Sequence, residues 1–205
     1  MYKSAHFTET NTQAIINFLK ANSFAIITGF GATYPESTQI PLEIEEKNGK
    51  IYFSGHLMKK TDHHKAFEEN ENVLVLFTGP HCYVSASWYN NPQSASTWNY
   101  MTVHAKGKIK FTDEEGTYNI IKVLTEKYEN AESIAAFNKI PKEYIMQHIK
   151  AIVGFNIEVD SLENVFKLSQ NKTEAEKINI ISKLRERNCT DDDIQIANEI
   201  EKRLN

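Results

Sequence analysis

The sequence predicts a protein that is mainly β with added helices, an α+β fold built on an antiparallel β-barrel. Two observations lead to this class. Stretches with the apolar pattern of strands follow one another through the first two thirds of the chain, joined by hairpin signals. Helical periodicities lie around them and at the C-terminus. Because closing an antiparallel sheet removes its exposed edges, a barrel is the arrangement we expect.

The first part of the chain is predicted to form one helix and three strands. Apolar residues at helical spacing predict a helix over 12–21, and SFAIIT predicts a strand over 23–28. Residues 37–46 alternate as one strand does. The Asn-Gly pair at 48–49 is a strong signal for a two-residue hairpin into the next strand, 50–55.

The middle of the chain is predicted to supply the other strands and three helices. The helices are expected over 61–69, 113–130 and 141–150. The strands are expected over 72–79, 82–86, 99–111, 151–159 and 163–168, with a loop at 87–97.

The character of the chain changes at its C-terminal end, where two short amphipathic helices are predicted over 174–187 and 191–204. Each begins with a capping-box pattern, namely Thr173 with Glu176 and Thr190 with Asp193. We therefore expect a barrel domain of residues 1–170 and a helical C-terminal appendage of residues 171–205.

Composition and charge argue against several classes of protein. The net charge is −4, whereas nucleic-acid-binding proteins are more often basic. The two cysteines lie far apart and match no zinc or disulfide pattern. The N-terminus lacks the apolar core of a signal peptide, and no uninterrupted apolar stretch is long enough to span a membrane. We expect a cytoplasmic protein with no membrane association.

One segment, from Asn72 to Ala105, contains no Asp, Glu, Lys or Arg but holds both tryptophans of the chain. Aromatic rings most often fill a core or a dimer contact. The many Ser, Thr and Asn side chains between the rings fit instead a pocket for a flat heteroaromatic ligand, whose edge they would bind. Composition leaves these two interpretations equally open.

A second candidate site follows the predicted strand at 50–55. Lys59 and Lys60 lie between the end of this strand and a helix that begins near Thr61, where two ammonium groups and free backbone N–H groups suit a phosphate. A solvated loop with two surface lysines is the alternative. The nearby His63 and His64 point apart on a helix, and no second cluster completes a ligand set, so we expect no metal site.

Five motifs together resemble the PaiB family of FMN-binding negative transcriptional regulators. They occur in order along the whole chain and read GHLMKK (55–60), GPHCYVSASWY (79–89), STWNYMTVHAKG (96–107), AIVGF (151–155) and FKLSQNK (166–172). The resemblance implies an FMN-binding split β-barrel of the pyridoxamine-phosphate-oxidase-like type. It further implies a six-stranded Greek-key barrel that forms a homodimer, with two FMN sites in clefts between the subunits.

The resemblance also implies which residues bind FMN. The phosphate is held where a strand end is followed by two basic residues, here Ser54, Lys59 and Lys60, with His56 close to the ribityl chain. The ring system is bordered by Thr97, Trp98 and Asn99, and is approached from beside the dimer seam by Lys167, Gln170 and Asn171. The first basic position is commonly Arg in the family, and Lys59 lacks the bidentate fork of that residue.

Three functions are compatible with this resemblance. The first is a flavin-dependent or flavin-sensing regulator that acts indirectly on transcription. Direct DNA binding is not expected, because the last predicted helix carries five acidic residues against Lys202 and Arg203. The second is a flavin reductase- or oxidase-like enzyme, for which no obligatory catalytic residue is identified and His56 and His104 are the nearest candidates. The third is a haem-binding split barrel.

Overall fold

The computed structural model describes residues 1, 4–91 and 93–204. In these residues the helices are α1 (Thr12–Ala21), α2 (Asp62–Glu69), α3 (Glu114–Tyr128), α4 (Lys142–Ile149), α5 (Glu174–Arg187) and α6 (Asp191–Glu201). The strands are β1 (Phe24–Phe30), β2 (Pro35–Pro41), β3 (Glu43–Lys47), β4 (Lys50–Met58), β5 (Asn72–Val84), β6 (Thr97–Phe111) and β7 (Ile152–Lys167). The predicted class, mainly β with added helices, is confirmed.

All seven strands belong to one sheet with the order β2-β1-β5-β6-β7-β4-β3. The strands are antiparallel in each pair whose register is described. The two ends of this order, β2 and β3, are consecutive in the chain and separated only by the buried Leu42. The ends of the sheet therefore lie beside each other, and the sheet closes into a barrel that protects its edges.

The division between β2 and β3 accounts for a seventh strand where the resemblance implied six. The sequence predicted a single strand over 37–46, but β2 pairs with β1 whereas β3 pairs with β4. Between them the N–H of Leu42 donates a 2.9 Å hydrogen bond to the carbonyl oxygen of Ser23. The alternation of side chains continues through this bend, which is why the sequence pattern did not reveal it.

The predicted Asn-Gly hairpin joins β3 to β4. Asn48 and Gly49 have φ angles of 54° and 75°, and Lys47 pairs with Lys50 across the turn. A two-residue hairpin of this kind needs two residues in the left-handed region, which Asn and Gly enter at the lowest cost. The turn prediction is confirmed.

Two predicted strand breaks are absent. The segments 72–79 and 82–86 form one strand, β5, and the segments 151–159 and 163–168 form one strand, β7. Pro80 lies beyond the described ladder between β1 and β5, which runs from Leu74 to Leu76. A proline beyond that ladder removes no N–H from it.

The chain groups into two compact units. The first contains Met1–Phe18, Thr78–Val103 and Glu163–Asn205, and the second contains Leu19–Phe77 and His104–Leu162. Helices α5 and α6 therefore group with the N-terminal residues and with parts of β5, β6 and β7. The boundary proposed between residues 170 and 171 stays a prediction.

The second unit includes part of every strand and an apolar barrel core. The rings of Phe53 and Phe77 pack edge to face with centroids 5.1 Å apart, and both side chains are fully buried. A Cβ atom at Gly55 would lie 2.9 Å from the Phe155 ring and 3.1 Å from Leu42. Glycine at this position lets β4 pass close to the bend at Leu42.

The first unit is built around the α5–α6 hairpin. The predicted capping box at the start of α5 is confirmed, since Thr173 accepts from the N–H of Glu176 and the Glu176 carboxylate accepts from the N–H of Thr173. The second predicted capping box is wrong, because the Thr190 side chain makes no cap hydrogen bond. The Asp193 carboxylate has a different partner.

That partner is Arg187, at the C-terminal end of α5. Its guanidinium donates two hydrogen bonds to the Asp193 carboxylate, and Nη1 donates a third, 2.9 Å long, to the carbonyl oxygen of Tyr83 in β5. The N–H of Cys189 also donates to the Asp193 carboxylate, at 3.1 Å. The Asp193 side chain is only 3% exposed. The Arg187 guanidinium holds the pKa of this carboxyl below its ordinary value.

Within the described ranges, no helix is long and apolar enough to cross a membrane.

We expect the substitution Arg187→Met to lower the free energy of unfolding by about 3–5 kcal/mol, because it leaves the buried Asp193 carboxylate without its counter-ion. Urea denaturation followed by circular dichroism measures this change. The matched control is Arg185→Met in the same helix, since Arg185 pairs with Glu201 on the surface. An exposed pair contributes no more than about 1 kcal/mol. Equal losses in the two variants would contradict the assignment.

Candidate functional site

The ten residues predicted to bind the cofactor lie in both units. The second unit holds Ser54, His56, Lys59 and Lys60. The first unit holds Thr97, Trp98, Asn99, Lys167, Gln170 and Asn171.

Ser54 and His56 lie on the same face of β4. Their side chains alternate with those of Phe53 and Leu57, which point into the barrel core and are buried. Ser54 and His56 are both half-buried. The alternation that fills the core thus places a hydroxyl and an imidazole together on the other face of the strand.

The His56 ring has an unsatisfied nitrogen. Its Nδ1 is buried and has no hydrogen-bond partner among the described residues. Burial lowers the pKa of His56, so that the ring is neutral near neutral pH. A neutral imidazole without a partner at Nδ1 is available to exchange a hydrogen bond with a bound molecule.

Lys59 and Lys60 form a fixed turn at the end of β4. The N–H of Lys59 donates to the carbonyl oxygen of Ala151 at 3.0 Å, and the N–H of Lys60 donates to Nδ1 of His64 at 3.3 Å. Lys60 has a φ angle of 65°, in the left-handed region that residues other than glycine seldom enter. Such a conformation persists only where the surrounding contacts hold it. The two ammonium groups are therefore presented from a defined backbone.

Helix α2 begins directly after this turn, as predicted. Thr61 is its N-cap, and its hydroxyl accepts from the N–H of His64 and donates to the carbonyl oxygen of Met58. Nε2 of His63 lies 3.0 Å from the same hydroxyl oxygen, so the hydroxyl is occupied within the turn. The N-terminal end of α2 carries the positive end of the helix dipole, which favours an anion, although Asp62 places a carboxylate in the same first turn.

Neither Lys59 nor Lys60 has a carboxylate within ion-pair distance in the part of the chain that is described, whereas five other lysines of the second unit do: Lys50, Lys65, Lys108, Lys122 and Lys127. The two ammonium groups and the start of a helix supply donors at this turn, while Ser54 lies within β4, five residues before Lys59. These donors fit the charge and the acceptor oxygens of a phosphate.

In the first unit, the opening residues of β6 point to opposite sides. Thr97 and Asn99 alternate with Trp98, which is on the exposed side. The Lys167 ammonium donates to the Thr97 hydroxyl. Asn99 is fully buried and its Nδ2 donates to the Ser169 hydroxyl at 2.8 Å, while its Oδ1 has no partner in the part of the chain that is described. The structure thus groups Thr97 and Asn99 with residues 167–169 and turns Trp98 away from them.

The turn after β7 is braced by its own side chains. Ser169 is buried with a φ angle of 59°. The Gln170 amide accepts from the N–H of Leu168 and donates to the carbonyl oxygen of Phe166. Gln170 therefore holds the turn, while Asn171 beside it is exposed.

The exposed side of β5 and β6 carries three neighbouring rings, which we call the aromatic face: His81, Tyr83 and Trp98. The Trp98 centroid lies 6.1 Å from that of His81 and 6.2 Å from that of Tyr83. Tyr83 and Trp98 are 42% and 54% exposed. The aromatic face thus exposes two large rings beside the His81 imidazole.

Sequence reasoning missed the contacts through which α5 and the start of α6 hold this region. Glu176 accepts from the N–H of Asn90, and Asn179 donates to the carbonyl oxygen of Trp88. The Arg187 guanidinium lies 5.2 Å from the centroid of the Trp88 ring. The only local signal was a pair of opposite charges on either side of the turn between the two helices, Arg187 and Asp193.

No metal cluster is found in the described ranges. No group of three or more His, Cys, Asp or Glu side chains there is placed to hold a metal ion. Burial raises the pKa of Cys82 to about 12, so its thiol is protonated at neutral pH.

Comparison with known proteins identifies relatives along most of the chain. A family model described as "Putative FMN-binding domain" matches residues 1–161. "Protease synthase and sporulation protein PAI 2" of Bacillus subtilis is 34% identical over 186 residues, which cover 90% of this chain and 89% of that protein.

Solved structures share the fold at low sequence identity. The FAD and heme binding protein from Mycobacterium smegmatis has a TM-score of 0.59 at 12% identity, covering 78% of this chain and 73% of that one. A "putative 5-nitroimidazole antibiotic resistance protein" from Bacteroides thetaiotaomicron has a TM-score of 0.54 at 14% identity, covering 77% and 84%. At these identities the likeness concerns the fold alone.

Proposed function

We propose that Ser54, Lys59 and Lys60 hold the phosphate of FMN, since this chain belongs to the family described as "Putative FMN-binding domain" and its cofactor is FMN. The resemblance to the PaiB family is confirmed by the similarity to PAI 2. The observation that carries this proposal is the pair of ammonium groups without a described counter-ion, fixed at the junction of β4 and α2. A dianionic phosphate supplies the missing charge.

The other predicted residues complete the proposed site. The unpaired Nδ1 of His56 would bond to the ribityl chain. Thr97, Trp98 and Asn99 would border the ring system, with Trp98 on the other face of β6 from Thr97 and Asn99. Lys167, Gln170 and Asn171 would approach the ring system from beside the dimer seam. FMN supplies redox chemistry to such a site, while the protein supplies charge, orientation and hydrogen bonds. The scarcity of charge on the β6 side is favourable because an isoalloxazine presents neutral faces.

We further propose that the protein is a homodimer and that the aromatic face lies in its subunit contact. Exposed tyrosine and tryptophan rings are enriched at such contacts, and a monomer would leave both in water. In the split-barrel arrangement implied by the resemblance, each FMN site lies between subunits, so that one subunit alone would hold an incomplete site.

The proposed biological role is that of a cytoplasmic, flavin-dependent or flavin-sensing regulator that acts indirectly on transcription. Support comes from the PaiB-type relationship and from the charge of α6, whose first turn carries Asp191 and Asp192 beside the buried Asp193, which is paired with Arg187. An acidic helix start repels the phosphates that a recognition helix must approach. A protein partner is therefore the route that we favour.

Replacing both Lys59 and Lys60 by Ala is expected to weaken FMN binding at least about a hundredfold. Each lost charge-assisted contact is worth roughly 1.5–3 kcal/mol, and about 2.7 kcal/mol corresponds to two decades in Kd. Isothermal titration with FMN measures the change.

Two controls accompany this test. Riboflavin lacks the phosphate, so its weaker binding should be the same in the parent and in the double variant. The matched charge change, Lys106→Ala with Lys110→Ala, removes two exposed lysines from β6 and should leave FMN binding unchanged. If the Lys59 and Lys60 variant binds FMN as the parent does, the phosphate lies elsewhere.

The substitution Trp98→Asp is expected to convert the dimer into a monomer, because it places a charge in an apolar contact. Light scattering at micromolar concentration reports the mass. Ile134→Asp, at a residue 95% exposed and distant in sequence from the aromatic face, should remain dimeric. A parent protein that is already monomeric would refute the assembly.

For the regulatory role, we expect no specific band in a gel shift with DNA from the promoter region of its own gene at low salt. Low salt strengthens phosphate contacts, so that even weak direct binding would be visible. A band that survives competition by unrelated DNA would show direct recognition instead.

A further inference from the structure

Lys167, at the C-terminal end of β7, is a half-buried cation whose described partners are all neutral. Its ammonium donates to the Thr97 hydroxyl and lies 5.8 Å from the centroid of the Phe7 ring. Within residues 4–91 and 93–204 no carboxylate lies at ion-pair distance from it. Burial without a compensating negative charge lowers the pKa of Lys167.

Lys172, at the other end of the same turn, differs from Lys167 because a carboxylate interacts with its ammonium. It is also half-buried and lies 3.7 Å from the centroid of the Tyr89 ring. Its charge, however, is felt by a carboxylate. The pKa of Glu176 is lowered mainly by the hydrogen bonds from Thr173 and, to a smaller extent, by the ammonium of Lys172. Of the two lysines that flank the turn, only Lys167 lacks a negative neighbour.

The turn holds Lys167 in place. Ser169 and Gln170 are occupied in bracing residues 166–172, and Thr97 orients the ammonium from the neighbouring strand β6. A desolvated cation that is kept rigid without a counter-ion costs folding free energy. Such a cation is therefore best explained by a ligand that brings negative charge to it.

We infer that Lys167 faces the N1–C2=O edge of the FMN ring system, where negative charge accumulates when the flavin is reduced. This inference rests on the proposed function. A phosphate is the less suitable occupant because Lys59 and Lys60 already provide paired cations for it. A single, partly desolvated ammonium suits a singly charged, delocalised anion.

The consequence is a preference for reduced over oxidised flavin. An ammonium at this edge interacts weakly with the neutral ring and strongly with the reduced one, so that it raises the midpoint potential of bound FMN. Lys167 would thereby set the redox level at which the protein exchanges electrons or reports on flavin state.

The test compares Lys167→Met with the parent, with Lys167→Arg and with the matched control Lys172→Met. Methionine keeps an apolar stem over Phe7, and urea denaturation checks that each variant is folded. Fluorescence titration gives the Kd of oxidised FMN and of riboflavin. Equilibration with a reference dye during dithionite reduction gives the midpoint potential.

We expect Lys167→Met to bind oxidised FMN within a few fold of the parent. The ratio of the Kd for oxidised flavin to the Kd for reduced flavin should fall about tenfold, which is a potential about 30 mV more negative for a two-electron couple. Lys167→Arg should keep the parent potential because it keeps the charge. Lys172→Met should also leave the potential unchanged.

Three results would overturn the inference. An unchanged potential in Lys167→Met, with FMN bound, would show that Lys167 is not at the ring edge, and the proposed function would stand. Weaker FMN binding with unchanged riboflavin binding and potential would place Lys167 at the phosphate. A parent protein that binds no flavin would remove the proposed function itself, and this inference with it.

Discussion

The segment from Asn72 to Ala105 contains no Asp, Glu, Lys or Arg, so every charge-assisted contact that it makes is supplied by other parts of the chain. In the second unit the absence of charge follows from burial, because Val73, Val75 and Phe77 fill the barrel core. In the first unit the same segment is a surface of rings, hydroxyls and backbone groups. There the charges come from residues 167–193, which lie far along the sequence.

The contact between Arg187 and β5 shows how hydrogen bonds offset the desolvation of a charged group. Removing a guanidinium and a carboxylate from water is unfavourable, and only near-complete hydrogen bonding offsets it. Asp193 accepts from Arg187 and from the backbone of Cys189, and Arg187 has a further acceptor in Tyr83. The pair therefore connects α5, α6 and β5, which it reaches at the backbone of Tyr83 in the aromatic face.

The lysines differ in the charges around them. Lys50 and Lys108, on the barrel surface, have carboxylates beside them. Lys59 and Lys60 in the second unit, and Lys167 in the first, have none among the described residues. Lys59 and Lys60 lie in a turn that needs a left-handed residue, and Lys167 lies where water is partly excluded. In both places backbone or side-chain hydrogen bonds hold the conformation. The folded chain therefore keeps these lysines without a carboxylate partner among the described residues, which is consistent with anion binding.

The sequence by itself determined the elements whose signals lie within a few residues: the Asn48-Gly49 hairpin, the Thr61 cap of α2, the capping box of α5 and the lysine pair after β4. These depend on local backbone preferences. Only the tertiary structure decided the bend at Leu42, the continuity of β5 through Pro80 and the partner of Asp193. It also decided that Thr97 and Asn99 face away from Trp98. Each of these depends on which strand or side chain comes to lie opposite, and that choice is made by packing between segments distant in sequence.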